Sequence, residues 1–454
     1  MTGPTTISMR ARPRLLAGLL AGIASPSISR GVSAANDAPD ILVMVMNDAR
    51  DGDQVALPQA MSRLAVHGTT YPNFFLTTPL CCPSRASILT GLYPHNHGVY
   101  DNSEGANGGW EGFAVRGNRD RTTGVILQTA GYRTAALGVY LNGEQLGGTE
   151  EPGWDIGPST QVNVPGDNTM AQEATAILTE TPVDQPLYLH IGIVAPHVPA
   201  NPSPPYAGQF AGSVIDRDDA SFNEEDVADK PKYVRDLRRL NEADEAWLDD
   251  QHQRRLETLL EVDDSIATIW DALEARGRLD NTYIFLLTDN GLLQGQHRFF
   301  GKIAPYDGSV RMPLYAFGPG FTAGAVDPRL VANIDIAPTL LEVAGAEGRV
   351  MDGRSLVSDH RRDEILLEML APKSQSMKWP GPRAKIPSYS AVRTADRLYV
   401  EYSTGERELY DYGSDPEETR NLLAQSQSLE AEDPAAQLAL RLDAIRNCEG
   451  ASCP

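Results

Sequence analysis

Three short, largely apolar runs constrain the fold of this chain more than any other feature. They are residues 41–46 (ILVMVM), 187–194 (LYLHIGIV) and 283–287 (YIFLL), each with several β-branched or aromatic residues. Apolar runs of this length predict strands that are buried on both faces, as in a parallel sheet. Polar residues follow closely after each run. Because the carboxyl ends of parallel strands meet at one edge of the sheet, we expect a binding site at that edge.

Stretches with helical patterns alternate with these runs. Residues 168–180 are rich in Ala, Glu and Gln, and in residues 256–276 leucine and isoleucine recur at helical spacing. Gly277 stands where a C-terminal cap would end the second helix. This alternation predicts an α/β fold with helices on both faces of the sheet.

The sequence pattern divides the chain into three parts. Residues 36–345 are predicted to form the catalytic domain, and residues 346–454 a smaller α+β subdomain with a short sheet and a terminal helix. Within the smaller part, Cys448 and Cys453 are spaced to close a small loop, which predicts a disulfide in an exported protein.

The first 35 residues have the pattern of an export signal. Arginines precede the apolar stretch 15–24, and small residues follow at 32–34. This order is typical of a secretory signal peptide, and the apolar stretch is too short to span a bilayer. We therefore expect a secreted or cell-envelope protein without a membrane anchor.

The charge of the chain limits its partners. The formal net charge is −22, and no run of Lys or Arg stands out. An acidic surface repels nucleic-acid phosphates and anionic lipids, so we expect neither partner. It would also repel an anionic substrate, so a site for such a substrate must be locally positive.

The most specific motif is the stretch 81–91, Cys-Cys-Pro-Ser-Arg-Ala-Ser-Ile-Leu-Thr-Gly. On its own it could be a helix start with two buried cysteines and Pro83 in the first turn. Cys-x-Pro-Ser-Arg followed by Thr-Gly, however, resembles the signature of the sulfatase family. The resemblance implies that a formylglycine-generating enzyme oxidises Cys81 to formylglycine, whose hydrate is the nucleophile. It also implies that Arg85 holds the hydrate and offsets charge.

Polar residues at the strand ends are candidate metal ligands, because hard divalent cations prefer carboxylate and amide oxygens. Alone, such residues are more often turn or helix caps. The sulfatase resemblance implies that Ca²⁺, or alternatively Mg²⁺, binds at Asn47, Asp48, Cys81, Asp289 and Asn290. The family usually has Asp-Asp where this chain has Asn47-Asp48. One negative charge is lost, so we expect a weaker metal site.

Basic residues could provide the local positive charge. By the same resemblance Lys302 binds the sulfate group, and His197 contacts sulfate or protonates the leaving oxygen. Histidine suits that role because it titrates near neutral pH. His297 is a further candidate for substrate binding, while His95 and His97 could line the pocket or cap a loop. Any single histidine could equally make a structural hydrogen bond.

One departure from the family concerns the stretch 138–142, Gly-Val-Tyr-Leu-Asn. It resembles the Gly-Lys-Tyr-Leu-Asn of glucosamine-6-sulfatase-like members, with Val139 in place of the lysine. In the family this lysine touches both the nucleophile and the sulfate. Losing such a contact in a charged transition state costs a few kcal/mol. We therefore expect reduced sulfatase activity or an altered substrate.

The resemblance extends from about residue 39 to residue 422. It implies a doubly wound, alkaline-phosphatase-like α/β sheet and a sulfuric ester hydrolase that acts on a sulfated carbohydrate or aryl sulfate. Two alternatives remain: a phosphate or phosphonate ester hydrolase on the same fold, and a decayed sulfatase that only binds sulfated glycans. Asn47 and Val139 favour the decayed sulfatase, whereas the intact signature favours an enzyme.

Overall fold

A computed structural model describes residues 38–143, 151–158, 169–370, 379–424 and 433–454. The expected signal peptide, residues 1–35, lies outside the described residues. The chain from Ala38 to Pro454 forms one compact unit, and the predicted boundary at residue 345 stays a prediction. Among the described residues, the helices are too short or too polar to cross a membrane.

The three apolar runs form neighbouring strands, β1 (Asp40–Met46), β4 (Leu187–Gly192) and β5 (Thr282–Thr288). Strand β1 lies between β4 and β5 and is parallel to both. Every residue of β1 and β4 is buried. The prediction of strands buried on both faces is confirmed, and the polar residues that follow them lie at one edge of the sheet.

Five more strands complete a mixed sheet: β2 (Thr69–Phe75), β3 (Arg133–Gly138), β8 (Arg311–Phe317), β9 (Ala325–Val326) and β10 (Val331–Ala332). Within the described chain the order is β10-β2-β8-β5-β1-β4-β3, with β9 paired to β2. Strand β8 is antiparallel to both β5 and β2. The sheet is therefore parallel on one side of β5 and mixed on the other.

Helices cover both faces of the sheet, as predicted. One face packs against α1 (Pro58–His67), α6 (Thr169–Glu180) and α8 (Glu242–Ala275). The other packs against α2 (Cys81–Thr90), α4 (Gly109–Val115), α5 (Thr123–Thr129) and α10 (Ile336–Val343). Side chains along β1 alternate between the two faces, so the strand needs apolar residues throughout. Three short helices are α3 (Pro94–His97), α7 (Lys232–Arg235) and α9 (Asp307–Val310).

The C-terminal part forms the predicted α+β subdomain. An antiparallel sheet contains, in order, β11 (Glu364–Met369), β12 (Tyr389–Thr394), β13 (Arg397–Tyr402) and β14 (Arg407–Asp411). Helix α11 (Pro434–Ile445) packs into the same apolar cluster, which also contains Leu80 and Tyr306. The predicted disulfide joins Cys448 and Cys453. A separate hairpin of β6 (Leu293–Gln294) and β7 (Phe300–Gly301) ends one residue before Lys302.

Candidate active site

Cys81 is the first residue of helix α2, at the end of the helix that carries a partial positive charge. All ten residues of α2 are buried. Gly91 ends the helix in a left-handed conformation, with φ of 71°. Short side chains such as Ala86 and Ser87 allow this buried helix to pack closely against neighbouring elements. The signature therefore builds a buried helix whose first residue is held at a fixed place.

Lys302 contacts Cys81 directly. The Lys302 Nζ donates to Cys81 Sγ at 2.8 Å and to Asp48 Oδ1 at 2.5 Å. Burial alone would lower the pKa of Lys302, but Asp48 and Cys81 outweigh burial and raise it. Burial raises the pKa of the Cys81 thiol to about 11, although Lys302 opposes this. At neutral pH the site therefore holds a charged ammonium group beside a neutral thiol.

Four of the predicted metal ligands converge beside Cys81. One terminal atom of the Asn47 amide lies 3.2 Å from both Asp48 Oδ1 and Asp289 Oδ2, and 3.5 Å from Cys81 Sγ. Asn290 Nδ2 donates to Asp48 Oδ1 at 2.6 Å. All four side chains are buried or nearly so. The structure thus brings together the ligand set that the sequence predicted.

These residues fit a hard divalent cation. If the amide oxygen of Asn47 occupies the inner position, it converges with oxygens of Asp48 and Asp289, an arrangement that a bound cation would stabilise. If the nitrogen occupies that position, Asn47 donates to both carboxylates. Oδ2 of Asp48 is buried and accepts no hydrogen bond from the described residues. Burial would raise the pKa of Asp48, but Lys302 and His197 lower it to about 2, so the carboxylate is charged.

His197 lies at the open side of the site. Its side chain is 32% exposed, and its Nε2 lies 3.6 Å from Asp48 Oδ2. Ligand atoms of Asp48, Cys81 and His197 all lie within 4.8 Å of one another. Asp48 and Asp289 follow closely after the ends of β1 and β5, and His197 lies in the loop that follows β4. The parallel register of the three strands accounts for their meeting.

Arg85 lies one helical turn after Cys81 and is 2% exposed. Its Nε donates to Asp289 Oδ2 at 2.8 Å, and its Nη1 donates to the carbonyl of Val139 at 2.6 Å. Its Nη2 is buried and makes no hydrogen bond with the described residues. Val139 is therefore adjacent to the site through its backbone, where the family's lysine would stand.

The other predicted histidines have different surroundings. His297 is 1% exposed, its Nδ1 bonds to Glu224 Oε2 at 2.8 Å, and its ring lies 4.1 Å from that of Tyr306. These are the contacts of a buried structural side chain, and a substrate-binding role for His297 stays a prediction. His95 bonds to Glu368 Oε1 and to the carbonyl of Cys448, and His97 bonds to Ser87. These contacts join helix α3 to strand β11, to the Cys448 carbonyl and to helix α2.

The sequence analysis missed Arg255, which is fully buried in α8. It donates to the backbone carbonyl of the candidate ligand Asp48 and to that of Pro196, which directly precedes His197. A signal was present in the sequence, because Arg255 falls on the helix face that also presents Leu248 and Leu259. A charged residue at such a position is rarely buried without a partner.

Two family models match this chain. The family model described as "Sulfatase" matches residues 39–346, and the one described as "N-sulphoglucosamine sulphohydrolase, C-terminal" matches residues 295–447. A Caenorhabditis elegans homologue of the extracellular sulfatase Sulf-1 is 33% identical over 71% of this chain, a match that spans 49% of that protein's length. A human N-acetylglucosamine-6-sulfatase is 28% identical over 93% of this chain and 87% of its own. The chain thus spans about half the length of the first relative and most of the second.

Solved structures show the same fold. One was determined in complex with its substrate D-glucosamine-2-N,6-O-disulfate. It has a TM-score of 0.71, is 22% identical, and matches 89% of this chain and 97% of its own. A phosphonate monoester hydrolase of Agrobacterium radiobacter has a TM-score of 0.70 and 20% identity, over 90% of this chain and 96% of its own. At these identities the likeness establishes the fold alone.

Proposed function

The chain belongs to the sulfatase family, and on that premise we propose that it is an exported, metal-dependent sulfuric ester hydrolase with a formylglycine nucleophile made from Cys81. One observation carries the proposal. The ammonium of Lys302, at 2.8 Å, and the amide of Asn47, at 3.5 Å, converge on Cys81 Sγ beside two buried carboxylates. A positive group, a candidate nucleophile and a cation-binding cluster thus meet at one atom, as hydrolysis of an anionic ester requires.

The state of Cys81 supports oxidation before catalysis. Its pKa, raised to about 11 by burial, keeps the thiol protonated, and a neutral thiol is a poor nucleophile. Formylglycine at this position would supply a hydrated aldehyde, with one hydroxyl to attack sulfur and a second to expel sulfate afterwards. The hydroxyls would replace Sγ, so Lys302 would donate to them as it now donates to sulfur.

The remaining residues have separable roles. Asn47, Asp48, Asp289 and Asn290 would hold a divalent cation, Ca²⁺ or Mg²⁺, which would neutralise the sulfate oxygens. Arg85 holds Asp289 in place through its Nε and leaves its buried Nη2 to donate to the hydrate. His197, at the exposed side, donates a proton to the departing alcohol oxygen. These positive groups would attract an anionic substrate to the site, although the net charge of the chain is negative.

The proposed substrate class is a sulfated amino sugar or a glycan that contains one. The human relative is named for N-acetylglucosamine 6-sulfate, and a structure of the same fold binds a sulfated glucosamine. Relatives named extracellular sulfatases support the export that the predicted signal peptide implies.

Phosphate ester hydrolysis is the nearest alternative, because a phosphonate monoester hydrolase shares the fold. The named relatives favour a sulfate ester, because the nematode and human relatives are named sulfatases. Val139 and Asn47 replace the family's usual lysine and aspartate. Together these two replacements leave the net charge of the site unchanged, so charge does not separate a sulfate ester from a phosphonate ester.

Two measurements on protein from its native host test the proposal. The tryptic peptide with Cys81 should be about 18 mass units lighter than the unmodified peptide, because an aldehyde replaces the thiol. Hydrolysis of N-acetylglucosamine 6-sulfate should then exceed that of N-acetylglucosamine 6-phosphate. An unmodified thiol in all molecules would support the binding-only alternative, and faster phosphate hydrolysis would support the phosphatase alternative.

A further inference from the structure

Arg255 joins the two strand ends that carry Asp48 and His197. Its Nη2 donates to the Asp48 carbonyl at 2.6 Å, and its Nη1 donates to the Pro196 carbonyl at 2.8 Å. Nη2 also contacts Asp53 Oδ2 at 3.1 Å. The guanidinium is fully buried in helix α8, so water does not compete for these bonds.

The two hydrogen bonds stabilise backbone segments outside regular secondary structure, at Asp48 and in the loop after β4. Asp48 has φ of 66°, a left-handed conformation that is unusual for a residue other than glycine. Pro196 directly precedes His197, and this loop leaves the sheet at the carboxyl end of β4. A planar guanidinium with two fixed donors sets the separation of two carbonyls, which an ammonium group cannot do.

We propose that Arg255 is a positioning residue that sets the separation between Asp48 and His197. The inference rests on the proposed function, in which Asp48 binds the metal and His197 protonates the leaving group. Arg255 touches neither side chain and acts through the two backbone carbonyls. Displacement of a catalytic group by about 1 Å can cost about 100-fold in rate, so this support affects turnover more than substrate binding.

Arg278 provides a matched control. It is also a buried arginine, and it joins the same two strands at their amino-terminal ends. Its Nε and Nη2 contact the Asp40 carboxylate at 2.6 and 2.8 Å, and it donates to the carbonyls of Pro182 and Gln185. Asp40 begins β1, and Gln185 lies just before β4. Replacing Arg278 thus removes a comparable support far from the chemistry.

The experiment compares Arg255→Lys and Arg278→Lys with the wild type in three measurements. These are the thermal midpoint, kcat and KM on 4-nitrophenyl sulfate and N-acetylglucosamine 6-sulfate, and a crystal structure. We expect similar losses of thermal stability in the two variants. Arg255→Lys should lower kcat about 10- to 100-fold with KM little changed, and Arg278→Lys should keep the wild-type kcat. In Arg255→Ala, millimolar guanidinium should restore part of kcat.

The crystal structures decide the inference even where activity does not. We expect the distance between His197 Nε2 and Asp48 Oδ2, 3.6 Å here, to change in Arg255→Lys and to persist in Arg278→Lys. Equal kcat and an unchanged distance in Arg255→Lys would overturn the positioning role. A wild type that hydrolyses no sulfate ester would instead refute the proposed function, and the distance would still decide whether Arg255 sets this geometry.

Discussion

His197 Nε2 lies 3.6 Å from Asp48 Oδ2, with the histidine partly exposed and the aspartate fully buried. In the proposed function, the metal-binding carboxylate is therefore buried and the proton donor is partly exposed to solvent. This arrangement would separate stabilisation of the sulfate from protonation of the leaving group. The two roles can be tested separately by changing the leaving group.

We predict that His197→Ala loses activity according to the leaving group. A sugar alkoxide leaves poorly without a proton, so hydrolysis of N-acetylglucosamine 6-sulfate should fall about 100-fold or more. A nitrophenolate leaves readily unprotonated, so hydrolysis of 4-nitrophenyl sulfate should fall much less. The measurement is kcat/KM for both esters, with His360→Ala, an exposed histidine, as the control. Equal losses on both esters would contradict the proton-donor role.

Much of the candidate site could be predicted from the sequence. The apolar runs before Asp48, His197 and Asp289 identified buried parallel strands, and parallel strands end at a common edge. The resemblance predicted that Cys81 is the precursor of the nucleophile and that Lys302 binds sulfate. The structure places Lys302 Nζ 2.8 Å from Cys81 Sγ. These residues follow locally recognisable patterns, so one sequence was enough to identify them.

Other features depended on contacts that are distant in sequence. Arg255 meets the Asp48 carbonyl across 207 positions, and no local pattern shows which carbonyl a buried arginine will meet. Strand β8 also pairs antiparallel with β2, a partner far earlier in the chain that no local pattern indicates.

The start of helix α8 was placed too late for a local reason. The helix begins at Glu242, earlier than the apolar spacing predicted, because Asn241 and Asp244 form a capping box before a charged first turn.

We predict that Asn47→Asp binds Ca²⁺ about 10-fold more tightly or better, because it restores a carboxylate to a site whose affinity depends on ligand charge. Titration calorimetry on purified protein would measure this. Asn73→Asp, on strand β2, adds the same charge outside the site and should leave the affinity unchanged. If Asn47→Asp binds no more tightly, the Asn47 amide is not a weakened substitute for the family's aspartate.

We predict a pH-dependent contribution of His95 to stability. Burial would lower the pKa of His95, but the hydrogen bond and charge of Glu368 outweigh burial and raise it. The protonated form therefore stabilises the fold fully below the unfolded pKa of about 6.5, and this stabilisation is lost as pH rises through the higher folded value. His95→Gln should cost about 1–2 kcal/mol at pH 5.5 and less at pH 9.

Denaturant unfolding at the two pH values would measure this difference. His360→Gln, at an exposed histidine, is the control and should show no such dependence on pH. An equal loss for His95→Gln at both pH values would mean that its contacts with Glu368 and the Cys448 carbonyl stabilise the chain without a charge on the ring.

We predict that Val139→Lys increases sulfate hydrolysis. The Val139 carbonyl accepts a hydrogen bond from Arg85 at 2.6 Å, and its amide donates to Gly192 at 2.8 Å. The backbone at this position is thus fixed beside the site, and its side chain is only partly buried. A lysine there would add a cation to a charged transition state, and kcat/KM on N-acetylglucosamine 6-sulfate should rise about 10-fold. Val139→Met, of similar length without charge, should bring no gain. Equal rates for the two variants on every sulfate ester would contradict the prediction and show that a cation at residue 139 does not increase turnover.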